Sequence, residues 1–311
     1  MRVMVAGAGG VIGQPLVKLL AGAGHDVVAL TRSAAKRDVL RHAGAEPVIC
    51  DALDTEALAR TVDAARPDIV VNELTAQPRR INPRRIGRDL AATNRLRSAG
   101  ARNLMAAVVA AGVGQVVAQS VAFAYAPDGS GLRRESDPLY HAAPGTFAEA
   151  VAALARLEQE TLGSAGVRGA LLRYGFFYGP GTSFAADGSI AADVRRRRFP
   201  VIGSGAGVFS FVHVNDAASA TLAAIEQRAE GVYNIVDDEP APVADWLPAY
   251  ADMLGAPKPL RLPAWLGRTF GGSYAIYLMT RLPGASNEHA KTALGWRPER
   301  PNWREDLAAS G

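Results

Sequence analysis

Arg2-Val3-Met4-Val5-Ala6-Gly7-Ala8-Gly9-Gly10-Val11-Ile12-Gly13-Gln14-Pro15-Leu16-Val17-Lys18-Leu19-Leu20 is the stretch whose reading decides the fold. Its first five residues are a short apolar run that reads as a buried strand, and Gln14 to Leu20 reads as a helix. Between them stands a glycine turn. Strand, glycine turn and helix in direct succession form the context in which backbone binds a dinucleotide. Gly7 allows the tight turn, Gly10 lets the backbone approach a pyrophosphate, and Gly13 lets the helix pack closely on the strand. The helix N-terminus then faces the anion. Gly7, Gly10, Val11, Ile12 and Gly13 are the candidate cofactor contacts at this bend.

Working outward, strand and helix keep alternating. Asp26 to Thr31 reads as the second strand, Ala34 to Ala43 as a helix and Glu46 to Cys50 as the third strand. Thr55 to Ala65 reads as a helix with Asp54 as its N-cap, followed by the strand Ile69-Val70-Val71. Ile86 to Ala111 holds a long helix with a break expected near Gly100. Gln115 to Ser120 is a fifth strand, Phe147 to Gly163 a helix and Gly169 to Arg173 a sixth strand. Continuous apolar strands separated by helices imply a parallel sheet covered on both faces. The fold expected is α/β, a Rossmann-type doubly wound parallel sheet with a small C-terminal substrate-binding lobe.

The texture changes after Tyr174. Phe209 to Val214 reads as a strand, Asp216 to Gln227 as a helix and Val232 to Val236 as another strand. Beyond them lie Pro240, Pro242, Pro248, Pro257, Pro259 and Pro263, so the tail is expected to form a lobe over the strand ends. The division expected is a dinucleotide-binding domain at 1–178 and a mainly substrate-binding lobe at 179–311, with 208–236 returning to the first.

Composition narrows the function classes. The chain has 311 residues, 49% hydrophobic and 21% charged, the balance of a soluble globular protein. A net charge of +4 favours anionic ligands weakly and does not argue for a nucleic-acid partner. Nor does any aromatic interleaving support the arginines at Arg195 to Arg198, which fan around a helix, or at Arg79, Arg80, Arg84, Arg85 and Arg88, read as a solvated loop. Cys50 is the sole cysteine, which excludes an internal disulfide and fits a reducing compartment. No Cys/His cluster has metal spacing. The opening apolar stretch is broken by glycines, unlike a signal segment. Ala101 to Ala118 is interrupted by Gly112 and Gly114, and is too short to cross a bilayer. The expected location is the cytoplasm.

Gly7, Gly10 and Gly13 give G-x-x-G-x-x-G, which resembles the short-chain dehydrogenase/reductase superfamily. Further segments point the same way. Asp51 and Ala52 follow the third strand, Asn94 precedes Gly100-Ala101-Arg102-Asn103-Leu104, and Leu171-Leu172-Arg173-Tyr174-Gly175 runs on to Tyr178-Gly179-Pro180. Phe211-Val212-His213-Val214-Asn215-Asp216-Ala217, Tyr233-Asn234-Ile235 and Leu294-Gly295-Trp296-Arg297-Pro298 follow in order. Together they resemble the NAD-dependent epimerase/dehydratase family over nearly the whole chain, with Tyr174 where the family has proline. The resemblance implies a nicotinamide cofactor held by Asp51, Ala52, Leu74, Thr75, Asn94, Gln119 and Tyr174 in addition to the bend. It also implies dimerisation through the two long helices, so a homodimer is expected. His213 reads as structural.

The second strand ends Leu30-Thr31-Arg32-Ser33, without the acid that accepts ribose hydroxyls in NAD-selective relatives. Arg32, with Ser33 and then Lys36 and Arg37, suits a 2′-phosphate, because guanidinium donates two hydrogen bonds together. NADP(H) is therefore expected over NAD(H).

The family reduces carbonyls with Tyr-x-x-x-Lys, in which lysine lowers the tyrosine pKa. The matching helix, Phe147 to Glu158, contains neither residue; the two positions fall near Val151 and Ala155. Ser120, Tyr125 and Tyr140 are the candidate substitutes, with His141 beside Tyr140 titrating in a suitable range. The expected function is an NADP-dependent oxidoreductase of this type, acting on a small metabolite carbonyl or alcohol with a non-standard proton donor. A non-redox lyase or isomerase on the same scaffold, or a non-catalytic NADP-binding regulatory protein, is the alternative. No nucleic acid or membrane partner is expected.

Overall fold

The computed structural model describes residues 1–78, 80 and 85–307. Its centre is a seven-stranded sheet built from β1 (Arg2–Ala6), β2 (Asp26–Thr31), β3 (Ala45–Ile49), β4 (Ile69–Asn72), β5 (Gln115–Val121), β6 (Arg168–Tyr174) and β7 (Gly231–Ile235). Their order across the sheet is β7-β6-β5-β4-β1-β2-β3, and every pairing is parallel. The chain runs outward from β1 to β3, then returns to lay β4 on the other side of β1. That reversal is the switch point, where the crossovers diverge and leave a crevice at the strand ends.

The helices are α1 (Gly13–Gly22), α2 (Arg37–His42), α3 (Thr55–Ala65), α4 (Ile86–Arg95), α5 (Ala101–Ala110), α6 (Thr146–Gly163), α7 (Ser189–Arg195), α8 (Val214–Glu226), α9 (Val243–Met253), α10 (Ala264–Thr280), α11 (Glu288–Leu294) and α12 (Trp303–Asp306). One face of the sheet packs on Leu16, Val17 and Leu20 of α1 and Ala217, Ala220 and Ala224 of α8. The other packs on Leu58 and Val62 of α3, Leu104 and Val108 of α5 and Leu157 of α6. Strands with both faces covered leave no polar alternation, which is why Val3 to Ala6 and Ile69 to Val71 are apolar throughout. Asp54 caps α3 as expected, its Oδ1 accepting from Ala57 N at 3.0 Å.

Three local expectations need correction, and the tail adds a fourth feature. The helix after β4 does not break near Gly100; it continues from α4 into α5 through a π-turn at Leu96–Gly100. Ala34 to Ala43 is a 3₁₀ turn at Ala34–Lys36 followed by α2. The strand expected over Phe209 to Val214 is interrupted at Ser210. Only Phe211–His213 continues, pairing parallel with Phe176–Tyr178, and α8 already begins at Val214. The proline-rich tail is mostly helical, with Pro248 inside α9. Local propensity there yields to tertiary burial: Trp246 and Tyr250 of α9 are fully buried, and Trp246 packs edge-on against Phe211 and Phe184 at 5.5 and 5.7 Å. Aromatic burial of this size outweighs the lost helix hydrogen bond.

Candidate active site

The glycine bend is tight because its neighbours leave no room. Gly7 sits at φ +92°, and a Cβ there would run into the Glu73 carbonyl oxygen. A Cβ at Gly13 would lie 2.5 Å from the Gly7 oxygen. Gly10 N donates to Gly7 O at 2.9 Å, while Gly7 N and Ala8 N both bond Leu30 O of β2. Gly10 and Val11 are exposed at the head of α1, whereas Ile12 and Gly13 are buried beneath them. A helix end with uncovered backbone and no Cβ on its strand side fits a diphosphate.

At the end of β2, Arg32 and Ser33 are exposed, and Ser33 N bonds Thr31 Oγ1 at 3.2 Å. The Lys36 side chain leans over Gly9: a Cβ on Gly9 would stand 3.3 Å from Lys36 Cγ. Lys36 thus borders the bend, with Arg32 exposed at the end of the neighbouring strand. Past β3, Asp51 is exposed and its Oδ1 accepts from Leu53 N at 3.0 Å. Ala52 is buried, and its carbonyl accepts from Asn103 Nδ2 of α5 at 3.2 Å. Past β4, Leu74 is buried with its amide on Asn72 Oδ1, and Thr75 is exposed. Asn94 is half-buried and Gln119 is buried. Arg80 pairs with Asp193 of α7, and Arg85 and Arg88 are exposed. Arg79 and Arg84 lie outside the described residues.

The structure draws three sequence-selected residues inward. Ser120 is buried and donates to Glu158 Oε1 of α6 at 2.6 Å. Arg173 grips the same carboxylate with two bonds, Nε to Oε1 at 2.9 Å and Nη2 to Oε2 at 2.7 Å. Its Nη1 donates to Tyr125 Oη at 2.8 Å, and Tyr125 in turn donates to Asn234 Oδ1 of β7 at 2.7 Å. Burial pushes the Tyr125 hydroxyl up to about 12, with Arg173 pulling the other way. Burial opposes the Arg173 charge, but Glu158 outweighs it and holds the guanidinium above its usual range. Both hydroxyls are therefore internal members of a satisfied network joining β5, β6, β7 and α6, rather than groups presented to a ligand.

Tyr174 is the third. It is fully buried, with its hydroxyl donating to Glu73 Oε1 at 3.1 Å and lying 2.7 Å from Thr221 Oγ1 of α8. Its side chain, expected from the sequence at the cofactor, is enclosed with its hydroxyl engaged by Glu73 and Thr221. Burial raises the Glu73 carboxyl to about 8, against the Tyr174 hydrogen bond. Glu73 thus holds its proton at neutral pH, directly behind Gly7. His213 is structural as expected: its Nδ1 accepts from Asn215 N, and burial lowers it to about 4.

What remains at the ends of β5 and β6 is a half-buried wall of rings. Phe123 stacks on Phe176 at 4.4 Å, and Phe176 stacks on Phe209 at 4.1 Å. Tyr140 is half-buried against Tyr277 at 5.3 Å, and Phe147 of α6 lies 4.5 Å from Tyr274 of α10. His141 is exposed in the loop before α6. The helix α6 has no tyrosine and no lysine in any register. Behind the rings, the π-turn places Arg97, which sequence reading passed over. Such an arrangement can hold a flat apolar molecule and an anion; of the candidate proton donors Ser120, Tyr125 and Tyr140, Tyr140 alone is left half-exposed.

A sequence model described as "NAD dependent epimerase/dehydratase family" matches residues 3–236. A curated Streptomyces sp. protein, "3-diazoavenalumate denitrifying reductase", is 46% identical over 99% of both chains. The Thermus thermophilus UDP-glucose 4-epimerase in complex with NAD is 25% identical with a TM-score of 0.75, covering 99% of this chain and 96% of that one. The Thermotoga maritima UDP-glucose 4-epimerase with UDP-glucose is 22% identical with a TM-score of 0.77, covering 99% and 96%.

Proposed function

The chain belongs to the NAD-dependent epimerase/dehydratase family of nicotinamide-dependent enzymes, and from that premise we propose that it is an NADPH-dependent reductase whose aromatic acceptor needs no proton from the protein. The observation that carries this reading is the missing donor. A carbonyl accepting hydride becomes an alkoxide and requires a positioned acid. Here α6 supplies no Tyr/Lys pair, and Ser120 and Tyr125 are spent on Glu158, Arg173 and Asn234. The half-buried Tyr140 stands in the loop before α6 with its ring on Tyr277, away from the helix position of the family's acid. The reductase relative is named for a diazo compound and for removing nitrogen.

With its diphosphate held at the glycine bend, a reduced nicotinamide would supply a hydride beyond the neighbouring strand ends. An arenediazonium that accepts it loses dinitrogen and keeps that hydrogen on the ring carbon, so cation plus hydride gives arene plus dinitrogen and no proton enters the balance. The protein's part is then to bind, orient and keep water out. Gly7, Gly10, Gly13 and Val11 set the diphosphate, and Arg32 with Lys36 take the 2′-phosphate. Phe123 and Tyr140 offer ring surface to an aromatic cation, with Phe176 stacked behind Phe123 as its backing.

Purified protein mixed with NADPH and a carboxy-substituted benzenediazonium is expected to oxidise one NADPH for each dinitrogen and arene released. The activity should stay flat between pH 6 and 8. Turnover of simple aldehydes or ketones at a comparable rate, with a basic limb typical of a tyrosine, would sink the reading.

A further inference from the structure

Arg97 sits on the π-turn between α4 and α5 and is only 6% exposed. It pairs with no carboxylate among the described residues, and its Nε has no hydrogen-bond partner. Four residues earlier, Thr93 accepts the amide of Ala76, which fixes this face of the helix to the loop leaving β4. Asn94, one residue further on, leaves its Oδ1 buried and unpartnered too. Nearby lies Tyr274 of α10, whose ring is tilted against Phe147 at 4.5 Å. The guanidinium and the Tyr274 hydroxyl feel each other's charge, and burial lowers Arg97 to about 10, where it stays charged at neutral pH.

A buried cation without a counter-ion is costly unless a ligand completes it. Of the two other buried arginines among the described residues, Arg173 is paired with Glu158, and Arg133, whose Nε is also unpartnered, gives its Nη2 to the Asp128 carbonyl. Arg97, by contrast, has no hydrogen-bond partner among the described residues for any of its nitrogens. The π-turn explains the placement, since one extra residue in a turn redirects a side chain that regular helix would stack over its predecessor. We propose that Arg97 is the substrate's anion-holding residue: it binds a carboxylate carried by the aromatic acceptor and so seats that acceptor between the ring wall and the glycine bend. The proposal rests on the reductase reading above and deepens it by naming the substrate class, an aromatic carboxylate.

Two arms of one experiment separate this proposal from the reading it rests on. The first is binding, without turnover: calorimetry of 3-phenylpropenoate and of its neutral amide against protein saturated with NADP⁺. Wild type should prefer the acid by about 30-fold, the range of a charge-assisted bidentate contact. Arg97→Met should erase that preference, and Arg97→Lys should restore part of it. The affinity for NADPH should stay within about two-fold in both variants, because the diphosphate contacts lie elsewhere. The second arm is turnover of benzenediazonium-3-carboxylate against the corresponding carboxamide. Arg97→Met should raise KM for the acid by about 30-fold, with KM for the amide and kcat for both little changed. Melting temperature serves as the folding control and should not fall in Arg97→Met, since an unpaired cation is being removed. Absence of turnover in wild type would defeat the reductase reading while leaving the binding arm to decide Arg97. Equal loss for acid and amide, or a fall in NADPH affinity with the acid preference intact, would overturn the proposal. The latter outcome would reassign Arg97 to a nucleotide phosphate.

Discussion

At the end of β1 a ligand meets main chain: Gly7, Gly10 and the head of α1, with Glu73 and Gly13 pressed too close for any Cβ. At the ends of β5 and β6 the surface is made of side chains instead: Phe123, Phe176 and Tyr140, with Arg97 behind. The first region is stereotyped because a diphosphate is the same in every relative and backbone amides do not vary with sequence. The second is where the chain departs from the family pattern, since α6 carries neither tyrosine nor lysine. A Rossmann scaffold lets the two change independently, because they stand on different strands.

The heaviest blow to the first region is Gly13→Val. Its side chain would strike Gly7 and Ala8, driving α1 off the bend, so NADPH affinity should fall about 100-fold or more while the sheet still folds. Fluorescence titration with a circular-dichroism control reads this, and unchanged affinity would dissolve the contrast. The matching blow to the second region is Arg173→Met, which leaves Glu158 buried without its cation. That should cost about 3–5 kcal/mol of stability, seen as a lower urea midpoint. If Arg173→Met is neutral in stability but abolishes turnover, the network belongs to the chemistry after all.

Glu73 joins the two regions and titrates. Its carboxyl is raised from 4.5 to about 8 in the folded protein by burial. The folded state therefore holds a proton that the unfolded chain releases as pH rises past 4.5. Its contribution to stability is complete below that value and declines toward pH 8, at most about 1.4 kcal/mol per pH unit. Glu73→Gln should flatten the pH dependence of the urea midpoint between pH 5 and 8. A slope equal to that of wild type would place the proton elsewhere. Arg32→Ala should act more narrowly, cutting the NADPH-over-NADH preference by about ten-fold, with NADH affinity unchanged.

The first region was legible in the sequence because its determinants are local. Gly7, Gly10 and Gly13 lie within one turn of each other, and the strand before and helix after them are set by neighbouring residues. The second was not, because its decisive contacts span long separations. Ser120 meets Glu158 across 38 residues and Tyr125 meets Asn234 across 109. Nothing in Val116 to Val121, apolar on both sides, says which way Ser120 turns. The helices α9 and α10 were hidden under prolines and glycines whose local signals tertiary packing overrides. Arg97 did leave a trace: it stands in the apolar stripe Thr93, Leu96, Gly100, Leu104, and an arginine in such a stripe has to be paired or functional. The Asn-bearing family pattern drew attention to Asn94 instead.

The smallest expected effect is the most discriminating. Tyr125→Phe removes a hydroxyl whose partners are Arg173 and Asn234, and whose own pKa, about 12, leaves it protonated throughout the working range. Losing it should lower stability by about 1–2 kcal/mol while changing kcat less than two-fold, about the spread of a repacked neighbour. The same holds for Ser120→Ala, which frees one lone pair of a Glu158 carboxylate that Arg173 still grips with two bonds. Steady-state kinetics on the diazonium across pH 6 to 10 would decide between the two roles. A proton donor would show a kcat fall of about 100-fold or more and the loss of a basic limb. A brace would show a lower melting temperature and an unchanged profile, which is the result expected if hydride delivery at this ring wall needs no acid from the chain.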